Sequence, residues 1–204
     1  MCGRFVLISD LSVISEEFDI QEVACDYKPG SDVLPGQSIA AIIRDGVNRL
    51  VQFRWGLIPS WAKDPSMGNK LINARAETLA LKPSFQNAFK KRRCLIIADA
   101  FYESLKDGKK RIPFCFRLKT GRPFGFAGLY ETWRSQEGQT VNTCTIITTE
   151  PNDLIRPIHN RMPVILPKEK EALWMDTAAI GQRELLSMLK PYPSEEMEQS
   201  PSPR

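Results

Sequence analysis

From Leu95 to Thr149 the chain alternates short β-like runs with turn signals, and this succession constrains the fold more than any other stretch. The runs are Leu95–Ala98, Phe101–Leu105, Ile112–Leu118, Phe124–Trp133 and Val141–Thr149. Lys106-Asp107-Gly108-Lys109, Thr120-Gly121 and Ser135–Gly138 supply reversals between them. Neighbours joined by so few residues pair antiparallel, because a parallel pair needs a crossover of about a dozen residues or more. Earlier in the chain, Ala40–Arg44 and Leu50–Trp55 flank Asp45-Gly46, a hairpin signal. Gly3–Ile8 and Pro163–Leu166 read as further strands.

Helical signals are short and interposed. Asp10 can cap a helix whose apolar face is Leu11, Ile14 and Phe18, and Asn73 can cap one over Ala74–Ala80. Pro83 can start another through Phe89, with Lys90-Lys91-Arg92-Arg93 at the end where cations suit the helix dipole. Asn152–Ile155 reads as one helical turn, and Lys168–Met175 and Gln182–Leu189 as short helices. The expectation is therefore an α+β fold. A single domain over 1–190 holds a curved or barrel-like, mostly antiparallel sheet with interposed helices. From Pro191 the composition turns to Pro, Ser and Glu, so 191–204 is expected to be a disordered tail.

Composition excludes several classes. Hydrophobic residues at 42% and charged residues at 25% are globular values, and the net charge of +4 permits a polyanionic partner without demanding one. Apolar runs such as Cys94–Ala98 are too short to cross a bilayer, and no signal peptide opens the chain, so a cytoplasmic protein without a membrane partner is expected. The five cysteines include no Cys-x-x-Cys pair, and neither a metal site, a cofactor nor a disulfide framework is expected. Cys94, Cys115 and Cys144 lie in apolar or β-like runs and read as small core residues. Cys2 has no such context.

Met1 is removable because Cys2 is small. The mature chain would then begin with an α-amine and a thiol on adjacent carbons, titrating near ~8 and ~8.5 when unperturbed. Such a 1,2-aminothiol condenses with an aldehyde to an imine, which the sulfur closes to a five-membered thiazolidine. It could equally serve as an N-terminal nucleophile for hydrolysis, the amine acting as base for its own side chain. An incidental cysteine is the third reading.

Other candidates carry alternatives of their own. On a strand, Glu103 would share a face with Phe101 and Leu105, and burial there would suit it to move protons near neutrality; a place on a sheet edge is the alternative. His159, the only histidine, is a natural proton-transfer group or a structural one. Asn73 is either a site residue or a helix N-cap. Around the irregular stretch 56–70, Arg54, Trp55, Trp61, Lys63, Lys70 and Arg75 interleave cations with aromatics, which suits single-stranded nucleic acid. Trp55 could instead be core and the lysines a solvated face.

Taken in order, these stretches resemble the SRAP (SOS response-associated peptidase) family of abasic-site processing proteins. The matching segments are Met1–Phe5, Arg54–Ala62, Asn73–Thr78, Phe101-Tyr102-Glu103, Ala127-Gly128-Leu129, Thr148-Thr149 and His159–Pro163. The resemblance implies a sensor of abasic sites in single-stranded DNA, acting as a monomer on DNA in the cytoplasm and forming a thiazolidine crosslink through Cys2. Asn73 would hold the opened sugar, while Glu103 and His159 would manage protons. Gly3, Arg4, Arg75 and Arg161 would meet the DNA, with Trp61 stacking or wedging. Abasic-site lyase and peptidase activities are implied too, and a noncovalent single-strand binder is the bland alternative. Three positions depart from the family pattern: Ser104 stands where a Trp is common, Ser31-Asp32 where Tyr-Asn is common, and Tyr130 where a Trp is common.

Overall fold

The computed structural model describes residues 2–177 and 181–201. Strand β1 (Phe5–Leu7) and helix α1 (Leu11–Glu17) open the chain, followed by β2 (Glu22–Val23), β3 (Gly30–Val33), β4 (Ser38–Asp45) and β5 (Val47–Trp55). A 3-10 turn at Pro65–Lys70 leads to β6 (Asn73–Arg75) and α2 (Pro83–Lys91). Then come β7 (Arg93–Ala98), β8 (Ala100–Asp107), β9 (Lys110–Leu118), β10 (Phe124–Arg134), β11 (Thr140–Thr149) and β12 (Met162–Pro163). Helices α3 (Lys168–Met175) and α4 (Gln182–Met188), a 3-10 turn at Ser194–Glu196 and β13 (Met197–Pro201) complete it.

The larger sheet runs β12-β11-β10-β7-β4-β5-β2, and β11 also pairs in parallel with β5 through Thr143–Arg54 and Cys144–Trp55. That extra pairing closes β11-β10-β7-β4-β5 into a ring, so the fold is an α+β barrel-like domain. The second sheet, β13-β9-β8-β1-β3, packs onto it through an aromatic seam. Phe5 of β1 lies 5.3 Å from Trp55 and 6.0 Å from Phe126, and Phe101 of β8 lies 5.8 Å from Phe126. Each of these rings is buried, and each such burial is worth roughly 1.5–3 kcal/mol. With Phe5 pinned this way, Cys2 is buried in the interior, while Gly3 and Arg4 stay partly exposed.

The long stretch after β5 is latched rather than free. A Cβ at Gly56 would stand 2.6 Å from the Gly68 carbonyl oxygen, and Gly56 has φ +130°, so only glycine permits this closure. Trp133 reinforces it by donating from Nε1 to the Ala62 carbonyl at 2.7 Å.

Three expectations are corrected. Residues 74–80 do not form a helix: Asn73–Arg75 is a strand paired in parallel with Ile146–Thr148, and turns follow it. Tertiary pairing overrides the local capping signal there. Residues 191–201 are not a disordered tail, because Met197 is buried and its strand pairs antiparallel with β9 from Leu118 to Phe114; Ser202–Arg204 lie outside the described residues. Edge pairing of this kind uses backbone groups, which composition does not report. Cys115 is only partly buried on β9, whereas Cys94 and Cys144 are fully enclosed.

Arg93, from the basic run after α2, is buried and donates to the Phe89 and Lys90 carbonyls at 2.8 Å and to Trp174 O at 2.6 Å, capping two helix ends at once.

A stability prediction arises at α3. Burial raises the Glu171 carboxyl from its ordinary 4.5 to about 7, against the opposing charge of Lys168 at 3.2 Å. The folded state holds this proton more tightly than the unfolded chain does. Its contribution is therefore present below 4.5 and lost as pH rises through 7, amounting to roughly 3 kcal/mol at most at about 1.4 kcal/mol per unit. Glu171→Gln carries no charge at any pH. Its Tm relative to the parent is expected to improve between about pH 5 and pH 8, and a pH-independent difference would remove Glu171 from this role.

Candidate functional site

The site is built where β1, β6, β8 and the segment before β12 converge. The register Phe5–Phe101 and the bond from Tyr102 N–H to the Arg4 carbonyl (3.0 Å) hold residues 4 and 5 against β8. Cys2 is thereby fully buried, and Asn73 donates from Nδ2 to the Cys2 carbonyl at 2.8 Å. Asn73 is itself placed by two features: β6 pairs with β11, and Trp55 Nε1 donates to the neighbouring Ile72 carbonyl at 2.8 Å. Its Oδ1 is buried without a hydrogen-bond partner among the described residues, an acceptor left available beside Cys2.

Burial pushes the Cys2 thiol up to about 12, and the nearby Glu103 carboxylate adds to the effect. This sulfur is held as a neutral thiol at neutral pH, unlike the depressed thiolates of cysteine nucleophiles.

Glu103 lies on β8, 6% exposed, opposite Phe114 of β9. His159 Nε2 stands 3.9 Å from Glu103 Oε2, within hydrogen-bond reach after a small side-chain rotation. The backbone N–H of Arg161 lies 3.0 Å and the Arg161 carbonyl 3.2 Å from His159 Nδ1, so the residue 161 backbone orients the ring with Nε2 toward Glu103. Carboxylate and imidazole can thus pass a proton between them beside the Cys2 backbone.

Arg161 is committed elsewhere. Its guanidinium makes a forked pair with Glu77 at 2.6 and 3.0 Å and also donates to Thr148 O at 2.6 Å. These bonds tie the His159 loop to β11 and to the turn after β6, and the Arg161 hydrogen bond holds the Glu77 carboxyl below its ordinary range. Arg161 thus positions His159, and its guanidinium is only 15% exposed.

Beside this group opens a cleft of about 280 Å³, lined by Gly3, Arg4, Tyr102, Glu103, Ser104 and His159, with Lys106, Arg111 and Pro113 at its rim. Arg4 stacks on the Tyr102 ring, 4.3 Å from its centroid, and pairs with Asp32 at 2.6 Å. A larger cavity of about 610 Å³ lies against Trp133 and Val141 and contains none of Cys2, Asn73, Glu103 or His159. Among the described residues no group of three or more His, Cys, Asp or Glu is arranged to hold a metal ion.

The structure gathers Cys2, Asn73, Glu103 and His159 into one neighbourhood, with Gly3 and Arg4 at its mouth. Arg75 is exposed on β6, and Trp61 stands 58% exposed on the latched loop. Trp55 is core. Sequence reasoning missed Asp32, Glu77 and Thr148, whose partners lie far away in the chain. Tyr102, Lys106 and Arg111 could have been found, because strand alternation puts Tyr102, Ser104 and Lys106 on one face.

Comparison with known proteins gives a consistent neighbourhood. Residues 1–203 match the model of a family described as SOS response associated peptidase (SRAP). The abasic site processing protein YoqW of Bacillus subtilis (strain 168) is 50% identical over 202 residues, covering 97% of this chain and 90% of its own length. The abasic site processing protein HMCES of Gallus gallus is 32% identical over 167 residues, covering 70% of this chain and 49% of its own. A crystal structure of a protein from Bacteroides thetaiotaomicron superposes with a TM-score of 0.88 at 27% identity, covering 97% of this chain and 90% of that one.

Proposed function

Because the chain belongs to the SOS response associated peptidase (SRAP) family, we propose that it processes abasic sites in single-stranded DNA by joining Cys2 to the opened sugar. The names of its relatives supply the substrate class. The observation that carries the chemistry is the placement of Cys2: its carbonyl is gripped by Asn73, and it lies next to Glu103 at a cleft edged by Arg4.

In this reading the amine freed by Met1 removal attacks the C1′ aldehyde, and the resulting carbinolamine loses water to give an imine. The Cys2 sulfur then adds to the imine carbon while its proton passes to nitrogen, closing a thiazolidine. The balance is one aminothiol plus one aldehyde giving one ring plus water. A thiol held near 12 needs a base at the moment of closure, and in this reading the nearby Glu103 carboxylate takes that proton and returns it. His159 Nε2 faces the same carboxylate at 3.9 Å, and Asn73 Oδ1 accepts from the opened sugar.

The imine has a second outcome. It acidifies C2′, so loss of that proton can expel the 3′ phosphate by β-elimination, which is lyase chemistry. Sulfur closure competes with it by converting C1′ to a tetrahedral carbon, and thus protects the strand. Acyl transfer by Cys2, as a peptidase requires, is disfavoured by the raised thiol, since that chemistry needs a readily formed thiolate.

Intact-mass spectrometry with and without an abasic oligonucleotide tests the proposal. Loss of Met1 and a one-to-one adduct lighter than the sum by one water are expected with the abasic strand and not with an intact one. Adducts of equal yield on both strands would refute it.

Asp32 gives a subtler prediction. Its carboxylate competes with phosphate for Arg4, in an exposed pair worth about 0–1 kcal/mol. Asp32→Asn should therefore bind single-stranded DNA a few-fold more tightly, with a salt slope steeper by about 0.7. Anisotropy titrations across a salt series read this directly, and an unchanged slope would mean that Arg4 meets no phosphate.

A further inference from the structure

Beyond the reacting group, the β8–β9 hairpin raises a question of its own. Its tip carries Lys106, Lys109, Lys110 and Arg111 against one acid, Asp107, and all are exposed. Lys106 and Arg111 face each other directly across the hairpin. Like charges in directly opposed strand positions destabilise a sheet. Among the described residues no carboxylate forms an ion pair with either cation. An anion arriving from outside would relieve the repulsion between these two cations.

Their position says which anion. Alternation along β8 turns Tyr102, Ser104 and Lys106 outward while Glu103 turns inward. Lys106 and Arg111 nevertheless line the same cleft as Arg4, Glu103 and His159. Along the strand Lys106 stands about 10 Å beyond Glu103, at roughly 3.3 Å per residue. Ser104, opposite Pro113, leaves a low floor between the two places. The outward face therefore runs as a continuous path from Arg4 on its Tyr102 platform, over Ser104, to the Lys106–Arg111 pair. That length suits a nucleotide or two of extended strand.

We infer that Lys106 and Arg111 form a phosphate-binding track holding the damaged strand on one side only of the abasic nucleotide. The inference rests on the abasic-site reading above. It adds that the hairpin, at one end of the cleft, reads strand polarity through a single flank.

The test uses oligonucleotides carrying a reduced abasic analogue, which has no aldehyde, so that binding is read without chemistry. One has both flanks, one only the 5′ flank and one only the 3′ flank. Replacing both cations in Lys106→Ala/Arg111→Ala should lower the salt slope by about 1.4, two contacts at about 0.7 each, on the two-flank strand. The same loss should appear on one single-flank strand and not on the other. Initial adduct rates with aldehyde-bearing strands at low DNA concentration should fall in the same pattern. The swap Lys106→Arg/Arg111→Lys keeps both charges and should keep the slope, which separates charge from damage to the hairpin. An unchanged slope on every strand, or equal losses on both single-flank strands, would overturn the inference. Absence of any adduct from the unaltered protein would instead refute the underlying abasic-site reading.

Discussion

Cys2→Ala is expected to reduce the gel-stable adduct with abasic single-stranded DNA to background, as is any form that keeps Met1. Both lose the pair of nucleophiles on one residue, the first by removing sulfur and the second by turning the amine into an amide. Cys2→Ser separates the two steps. It keeps the amine and should form an imine that borohydride traps, but the hydroxyl closes a far less stable ring. The imine then persists longer, so Cys2→Ser should also cleave the strand faster than the parent by β-elimination. Denaturing gels with and without borohydride report all three outcomes. Substitution here leaves the Asn73 bond to the residue 2 carbonyl in place, so the loss reads as chemistry rather than misplacement. A Cys2→Ser protein that crosslinked as durably as the parent would show that sulfur is dispensable.

The second large effect is at Glu103. Glu103→Gln keeps the shape of the side chain and removes the carboxylate that raises the Cys2 thiol and faces the His159 ring. General acid–base contributions are typically about 10²–10⁴ in rate, so single-turnover adduct formation should slow by that order, and reversal with it. The pH dependence should change as well. With burial still holding the thiol high, closure in Glu103→Gln must draw on scarce thiolate, and its rate should rise about tenfold per pH unit until the thiol itself titrates. The parent should be much less steep. A loss under about threefold, with an unchanged pH profile, would take Glu103 out of the proton path.

How much of this was legible beforehand depended on range. The strands from β7 to β11 and the hairpin at Asp45–Val47 declare themselves, because alternation and turn residues are local. Asn73 reads from the sequence as a site residue or a helix cap; the structure puts it on a strand, with its side chain on the Cys2 carbonyl. Three residues of strand held by β11 look, in isolation, like a helix cap before Ala-rich sequence. The β13 strand was invisible because its pairing with β9 is carried by the backbone, with Met197 as a deeply buried anchor. Ion pairs such as Arg4–Asp32 and Arg161–Glu77 join residues 28 and 84 apart, which no spacing rule links. Arg161, expected from the resemblance to meet DNA, has a further task that no spacing announces: through Glu77 and Thr148 it holds the His159 loop. The chemical logic of Cys2 was accessible from the first residues, and the environment that raises its thiol was not, since burial is a property of the closed fold.

The most direct test of the central claim is tandem mass spectrometry of the tryptic N-terminal peptide from the crosslink. Trypsin cleaves after Arg4, so the mature protein yields the tripeptide Cys2-Gly3-Arg4. The account predicts that this tripeptide carries the sugar remnant, has lost Met1, and resists iodoacetamide because its sulfur and nitrogen are both bound to C1′. A remnant on a lysine, or on a Cys2 whose thiol still alkylates, would contradict it.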